Sequence, residues 1–194
     1  KKVFIYFFFI CGHNKMTEQS CSMKKSKDFL TSVKFYDIDE KGKEKMFIIE
    51  KMLEDVSFQT SGHRRKLNIT GARPTSMPFG MKKELNGDYA LPTFDKQNPE
   101  IYPFVRDFIN EYVPDFDFNA GYINKNVQMI PHKDKNNVNT SLVMGLGDYE
   151  GGELFVEGTP YDIKYKIMEF DGKREEHWTS FFKGTRYSVI LYKI

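Results

Sequence analysis

The sequence predicts a mainly β domain with flanking helices, closed as a jelly-roll barrel. Three observations lead there. Seven short apolar stretches follow residue 117, separated by Gly, Asn and Asp turns. One strongly amphipathic helical stretch precedes them, and no fixed repeat runs through the chain. With 194 residues, 40% hydrophobic and 15% aromatic, the chain can bury one core of ordinary size, which excludes a disordered protein. The formal net charge of +2 hides no global field that would announce a nucleic-acid or membrane partner.

The elements divide the chain into residues 1–32, an N-terminal apolar segment with a mobile polar lead-in, and residues 33–194, a single domain. Within that domain, 33–117 supply helical and loop support with a substrate-side loop, and 118–194 supply the barrel core. Lys1 and Lys2 precede a nine-residue apolar run, Val3–Cys11, too short to cross a bilayer as a helix, so no stable membrane insertion is expected. Three readings of residues 1–15 stay open: a secretory signal, an anchor remnant, or translated sequence upstream of Met16. Both cysteines, Cys11 and Cys21, lie outside the expected core, which suits a reducing, intracellular compartment unless residues 1–15 are a signal.

Val33 to Ile38 and Met46 to Ile49 read as two strands about a turn at Gly42, with a helix from Phe47 as the competing reading. Residues 61–83 carry six Lys or Arg residues and no acid, among Gly and Pro. Asn98-Pro99-Glu100 predicts a helix start, a capping side chain followed by Pro and an acid. Ile101, Val105, Phe108, Ile109 and Tyr112 then recur at helical spacing, and Val113-Pro114 ends the run. The predicted strands are 118–123, 127–132, 141–146, 153–156, 161–170, 177–182 and 186–192.

His132 and Asp134, two residues apart, face the same side of an extended segment. Alone the pair is a common surface motif. His177, 43 residues beyond Asp134, is the other histidine of the β-rich half. Two His and one carboxylate make the facial set that holds iron(II) and leaves coordination positions open. Arg186 begins a strand on which Arg186, Ser188 and Ile190 share one face and Tyr187, Val189 and Leu191 the other. A guanidinium buried there needs an anion. Either a dicarboxylate co-substrate or a structural acid such as Glu153 or Glu169 would serve.

Together His132, Asp134, His177, Arg186 and Ser188 resemble the iron(II)- and 2-oxoglutarate-dependent dioxygenases, whose fold is a double-stranded β-helix (a jelly roll), over roughly residues 118–194. The resemblance implies Fe(II) held by His132, Asp134 and His177, and 2-oxoglutarate held through its far carboxylate by Arg186 and Ser188. Tyr122 and Asn124 match further co-substrate positions, and O2 is the second co-substrate. The wording around His132–Asn137, Val143–Gly145 and Gly147–Leu154 is similar to the Tet/J-binding-protein branch, which oxidises the methyl group of a pyrimidine base in nucleic acid. Its Gly-Gly-Glu element also occurs in prolyl-hydroxylase-like enzymes.

The basic loop fits the nucleic-acid reading, with Arg64, Arg65 and Arg73 as candidate phosphate contacts. A solvated basic face balanced by Asp107, Glu111, Asp115 and Asp117 is the competing account. Phe79, Tyr89 and Phe94 could stack a base, but core packing is the simpler expectation for Phe. Two other functions stand beside base hydroxylation: a protein prolyl or lysyl hydroxylase of the same fold, and a non-catalytic jelly-roll binding module. The complete ligand set with its Arg argues against the module.

Overall fold

The computed structural model describes residues 32–62, 65–71, 73–84, 86–135 and 137–194. The apolar run from Val3, both cysteines and Arg64 lie outside the described residues. Strand β1 (Lys34–Tyr36) leads into helix α1 (Glu40–Glu54), where two strands were the first expectation. The side chain of Asp39 accepts from the backbone N–H of Gly42 at 2.8 Å and so caps the helix. Met46, Ile49 and Leu53 then form one fully buried face at helical spacing. Cap and periodicity together outweigh the β-branched content of the segment, and Gly42 lies inside the helix rather than at a turn.

Helix α3 (Ile101–Tyr112) begins after the expected Asn-Pro-Glu start and ends at Val113 as expected. Asn98 serves the other side: its amide donates to the Phe94 carbonyl at 2.9 Å, closing the short helix α2 (Thr93–Gln97). A tight connection between two helices leaves one polar side chain to satisfy whichever terminus is nearer.

The remaining strands are β2 (Ser76–Gly80), β3 (Lys82–Lys83), β4 (Tyr89–Ala90), β5 (Ala120–Lys125), β6 (Ser141–Leu146), β7 (Tyr149–Gly151) and β8 (Leu154–Val156). They continue with β9 (Thr159–Tyr161), β10 (Ile167–Phe170), β11 (His177–Thr179), β12 (Phe182–Gly184) and β13 (Tyr187–Tyr192). A six-stranded antiparallel sheet runs β1-β10-β6-β13-β5-β2, so strands from upstream of residue 118 form both of its edges. A smaller sheet, β11-β8-β9, and the pair β12-β7 complete the barrel. The expected strand 127–132 is instead extended chain with single bridges at Met129 and His132, and the expected strand 161–170 is split between β9 and β10.

Strand alternation divides the large sheet cleanly. Ile123, Leu142, Met144, Val189 and Leu191 point to the helical layer and pack with Met46, Ile49, Val105 and Phe108. Val143, Met168 and Phe170 point the other way and meet Leu154 and Val156 of the small sheet. The helices thus occupy the outer face, and the inner face is left to line a cavity. Phe79 and Phe94 are fully buried in the outer core, whereas Tyr89 is exposed. No helix among the described residues is long and apolar enough to cross a membrane.

The helical layer is tied to the barrel by a buried acid. Glu50 on α1 accepts from the Tyr165 hydroxyl at 2.5 Å and the Gly147 N–H at 3.1 Å. Burial, with the hydrogen bond to Glu50, pushes the Tyr165 hydroxyl from its ordinary 10.0 up to about 12. The fold therefore favours the neutral phenol, a contribution complete below about pH 10 and lost as pH rises through about 12. Tyr165→Phe is expected to flatten the alkaline fall in stability across that window, measured by urea denaturation at a series of pH values. An unchanged slope would remove Tyr165 as its source.

Candidate active site

The cavity opens between the inner face of the large sheet and the small sheet. Arg186, Ser188 and Ile190 line it, as the alternation along β13 requires, and Asn124 on the neighbouring strand β5 joins them. On the opposite wall His132, Asp134 and His177 line the same cavity. All five residues that carry the sequence resemblance therefore face one space.

A two-residue bridge joins the histidines. His132 N–H donates to the His177 carbonyl at 3.1 Å, and His177 N–H donates back to the His132 carbonyl at 2.9 Å. Their ring centroids stand 4.3 Å apart, and the ring of Phe170 meets His177 edge-on at 4.9 Å. His132 Nδ1 lies 2.7 Å from the Ile130 carbonyl, and His177 Nδ1 lies 3.0 Å from the Glu175 carbonyl. A carbonyl can only accept, so each Nδ1 carries the proton and each Nε2 presents a lone pair.

Those lone pairs face Asp134. His132 Nε2 is 3.9 Å from Asp134 Oδ1, and His177 Nε2 is 3.8 Å from Oδ2. Such gaps exceed hydrogen-bond reach yet can be spanned by two bonds of about 2.1 Å to one ion. One ligand atom from each residue falls within 4.8 Å of the others. Two neutral imidazoles and one carboxylate fit iron(II).

Arg186 is 2% exposed, and among the described residues no carboxylate pairs with it. Its Nε has no hydrogen-bond partner. Burial pulls the guanidinium below its ordinary value, with the Tyr149 hydroxyl and Glu153 opposing that shift. Both candidate structural acids are engaged elsewhere. Glu153 accepts from the Ser180 hydroxyl, and Glu169 accepts from Thr140 and Tyr36 at 2.5 Å each. A buried cation left open on its cavity side suits an anionic ligand such as a carboxylate.

No family model matches the sequence, and no curated protein matches it. Solved structures with a similar fold do exist. NgTET1, solved in complex with 5mC DNA, superposes with a TM-score of 0.52 at 12% identity, covering 75% of this chain and 67% of that one. An oxidoreductase of the 2OG-Fe(II) oxygenase family from Burkholderia pseudomallei gives 0.53 at 14% identity, covering 76% and 77%. OsALKBH1 gives 0.53 at 14% identity, covering 84% and 97%. The fold is that of the 2OG-Fe(II) oxygenases.

In this oxygenase fold the softer candidates fall differently. Asn124 is buried, donates to Ser188 Oγ at 3.1 Å and accepts from Ser76 Oγ at 2.5 Å, so it orients Ser188. Tyr122 shares the Asn124 face, but its ring lies against Tyr192, with centroids 6.3 Å apart, and does not line the cavity. In the basic loop Arg65 and Arg73 are exposed, and Arg65 Nε donates to the Gly71 carbonyl at 2.8 Å. Three of the four acids proposed to balance the loop pair elsewhere: Asp107 with Arg106, Glu111 with Lys41 and Lys45, and Asp117 with Lys193.

Four residues of the site were not singled out from the sequence. Asn137 is buried and donates to Asp134 Oδ2 at 3.2 Å and to Ser141 Oγ at 2.8 Å, which holds the carboxylate in place. A buried Asn three residues past the acid was the available signal, though it read as a turn. Gly152, at φ +74, leaves open the space through which Arg186 passes: a Cβ there would stand 2.9 Å from Arg186 Nε. Tyr149 and Phe182 flank the guanidinium, with Arg186 Cζ 5.4 and 5.6 Å from their ring centres. Nothing in the spacing of these residues foretells that sandwich, because strand pairing assembles it.

Proposed function

We propose that this chain is an iron(II)- and 2-oxoglutarate-dependent dioxygenase that hydroxylates a C–H bond, namely the methyl group of a pyrimidine base in nucleic acid. One observation carries the reaction class: two lone-pair-bearing imidazoles, a carboxylate and a buried guanidinium that no carboxylate among the described residues pairs with line a single cavity. Iron(II), when bound, supplies the coupling of O2 reduction and 2-oxoglutarate decarboxylation to insertion of one oxygen atom into the substrate.

The chain's own groups do the rest. His132 and His177 offer Nε2 because their Nδ1 protons are committed to backbone carbonyls, and Asn137 keeps Asp134 turned toward them. Arg186 grips the far carboxylate of 2-oxoglutarate, and Ser188, oriented by Asn124, adds a hydroxyl. Val143, Leu154 and Ile163 line the same space and exclude water, which strengthens the charge pairing at Arg186.

The choice of nucleic acid rests on the basic loop and on the Tet-like wording around His132. The Ile69 N–H donates to the Gln128 carbonyl at 3.0 Å and the Ile130 N–H to the Leu67 carbonyl at 2.8 Å. The loop therefore hangs from the chain that leads directly into His132. Phosphates gripped there would bring a flipped base toward the metal ligands.

The test is succinate release from labelled 2-oxoglutarate with iron(II) and ascorbate, screened for stimulation by methylated DNA, RNA and proline- or lysine-containing peptides. Stimulation by methylated nucleic acid is expected. Binding should weaken with salt, and Arg65→Ala with Arg73→Ala should lower the log–log salt slope by about 0.9 for each duplex phosphate no longer neutralised. Stimulation by peptides alone would replace the base with a protein substrate. Absence of metal and 2-oxoglutarate binding would leave a jelly-roll binding module.

A further inference from the structure

The turn at residues 171–175, between β10 and β11, presents three backbone carbonyls to the segments that carry the metal ligands. Gly172 accepts from the Asp134 N–H at 2.8 Å, Arg174 from the Lys133 ammonium at 2.5 Å, and Glu175 from His177 Nδ1 at 3.0 Å. A Cβ added at Gly172 would stand 3.1 Å from Asp134 Oδ2, so the turn also backs the carboxylate directly. Two of the three ligand residues, and the lysine between His132 and Asp134, are set by one short stretch of main chain.

That stretch is closed from outside by Ser32, two residues before β1. The Ser32 hydroxyl donates to Glu175 Oε2 at 2.7 Å and accepts from the Asp171 N–H at 2.8 Å. The Ser32 N–H donates to Glu175 Oε1 at 2.7 Å. Ser32 therefore joins the first residue of the turn to the last, through bonds to a carboxylate, which are the stronger kind. The residue is exposed, so it adds no packing to the core.

We propose that Ser32 is a positioning residue for the metal centre, acting through the turn it closes on the orientation of His177 and Asp134. The inference rests on the metal reading above and extends it to a residue far upstream of the ligands. Partners of this kind fix the tautomer and ring angle of a ligating histidine. When the Glu175 carbonyl drifts from Nδ1, the His177 ring is free to turn, and Nε2 no longer presents its lone pair to the site.

Calorimetric titration of manganese(II) into the wild type, Ser32→Ala, Ser32→Asp and Ser32→Thr tests this, beside NMR of the histidine ring protons in the metal-free proteins. Ser32→Ala is expected to weaken manganese about three- to tenfold, less than the loss of a direct partner of a ligand. Ser32→Asp, which sets a second carboxylate against Glu175, should weaken it further, and Ser32→Thr should restore it. In Ser32→Ala the His177 Nδ1 proton should exchange faster with water. The His132 Nδ1 proton, held by the Ile130 carbonyl outside the turn, should keep its rate. Glu175→Gln, which loosens the latch without removing a bond to the backbone of the ligands, should repeat the manganese loss in smaller measure. Equal manganese affinity in wild type and Ser32→Ala, or equally faster exchange at both histidines, overturns the role of Ser32 and leaves the metal centre standing. A wild type that binds no manganese overturns the metal reading, and this inference with it.

Discussion

His132→Ala is expected to abolish succinate formation under conditions where the wild type turns over. The imidazole supplies one of only three ligand atoms in the cluster, and His132 also shares a backbone bridge with His177. Removing the side chain deletes a metal bond while the bridge, which is main chain, persists. The protein should therefore stay folded and lose its metal, a separation that circular dichroism and metal titration will show. Asn137→Ala offers a graded control, because it frees Asp134 to rotate without removing a ligand. A loss of about 10- to 100-fold in metal affinity is expected there. Retention of metal affinity and turnover in His132→Ala would sink the assignment of the centre.

Arg186→Met should produce opposite effects on function and stability. The guanidinium is almost wholly buried, its Nε has no acceptor, and burial alone already lowers its affinity for a proton. Without a ligand it is a net cost to the fold. An apolar side chain of similar length can occupy the slot between Tyr149 and Phe182, and is expected to raise ligand-free stability by about 1–4 kcal/mol, measured by urea denaturation. The same change should raise the 2-oxoglutarate requirement more than about thirtyfold, since it strips the charge from the carboxylate site. A variant that loses stability and keeps co-substrate affinity would mean that Arg186 serves the fold rather than the ligand.

Much of this site was legible in the chain because its chemistry is local. His132 and Asp134 are two residues apart on extended backbone, and Arg186, Ser188 and Ile190 follow strict strand alternation, so their common facing follows from the period of two. Helix α3 was legible for the same reason, with its buried residues at helical spacing. The misread element, α1, shows the limit. Its apolar residues suited either period, and the outcome turned on the Asp39 cap and on packing against α3 and β6. The Asn98 side chain shows another, since a capping residue between two helices can serve either one.

Residue types and short-range periodicity determined the mainly β class, the facing of the last strand and the choice of His132, Asp134, His177 and Arg186 as the chemistry-bearing groups. Strand pairing alone decided that His177 bridges His132 and that Glu153 and Glu169 bond to other partners. The physical reason is range. Caps, turns and alternation act over a few residues, whereas whether a buried charge has a partner depends on which strands lie next to it. That is set by the packing of the whole barrel.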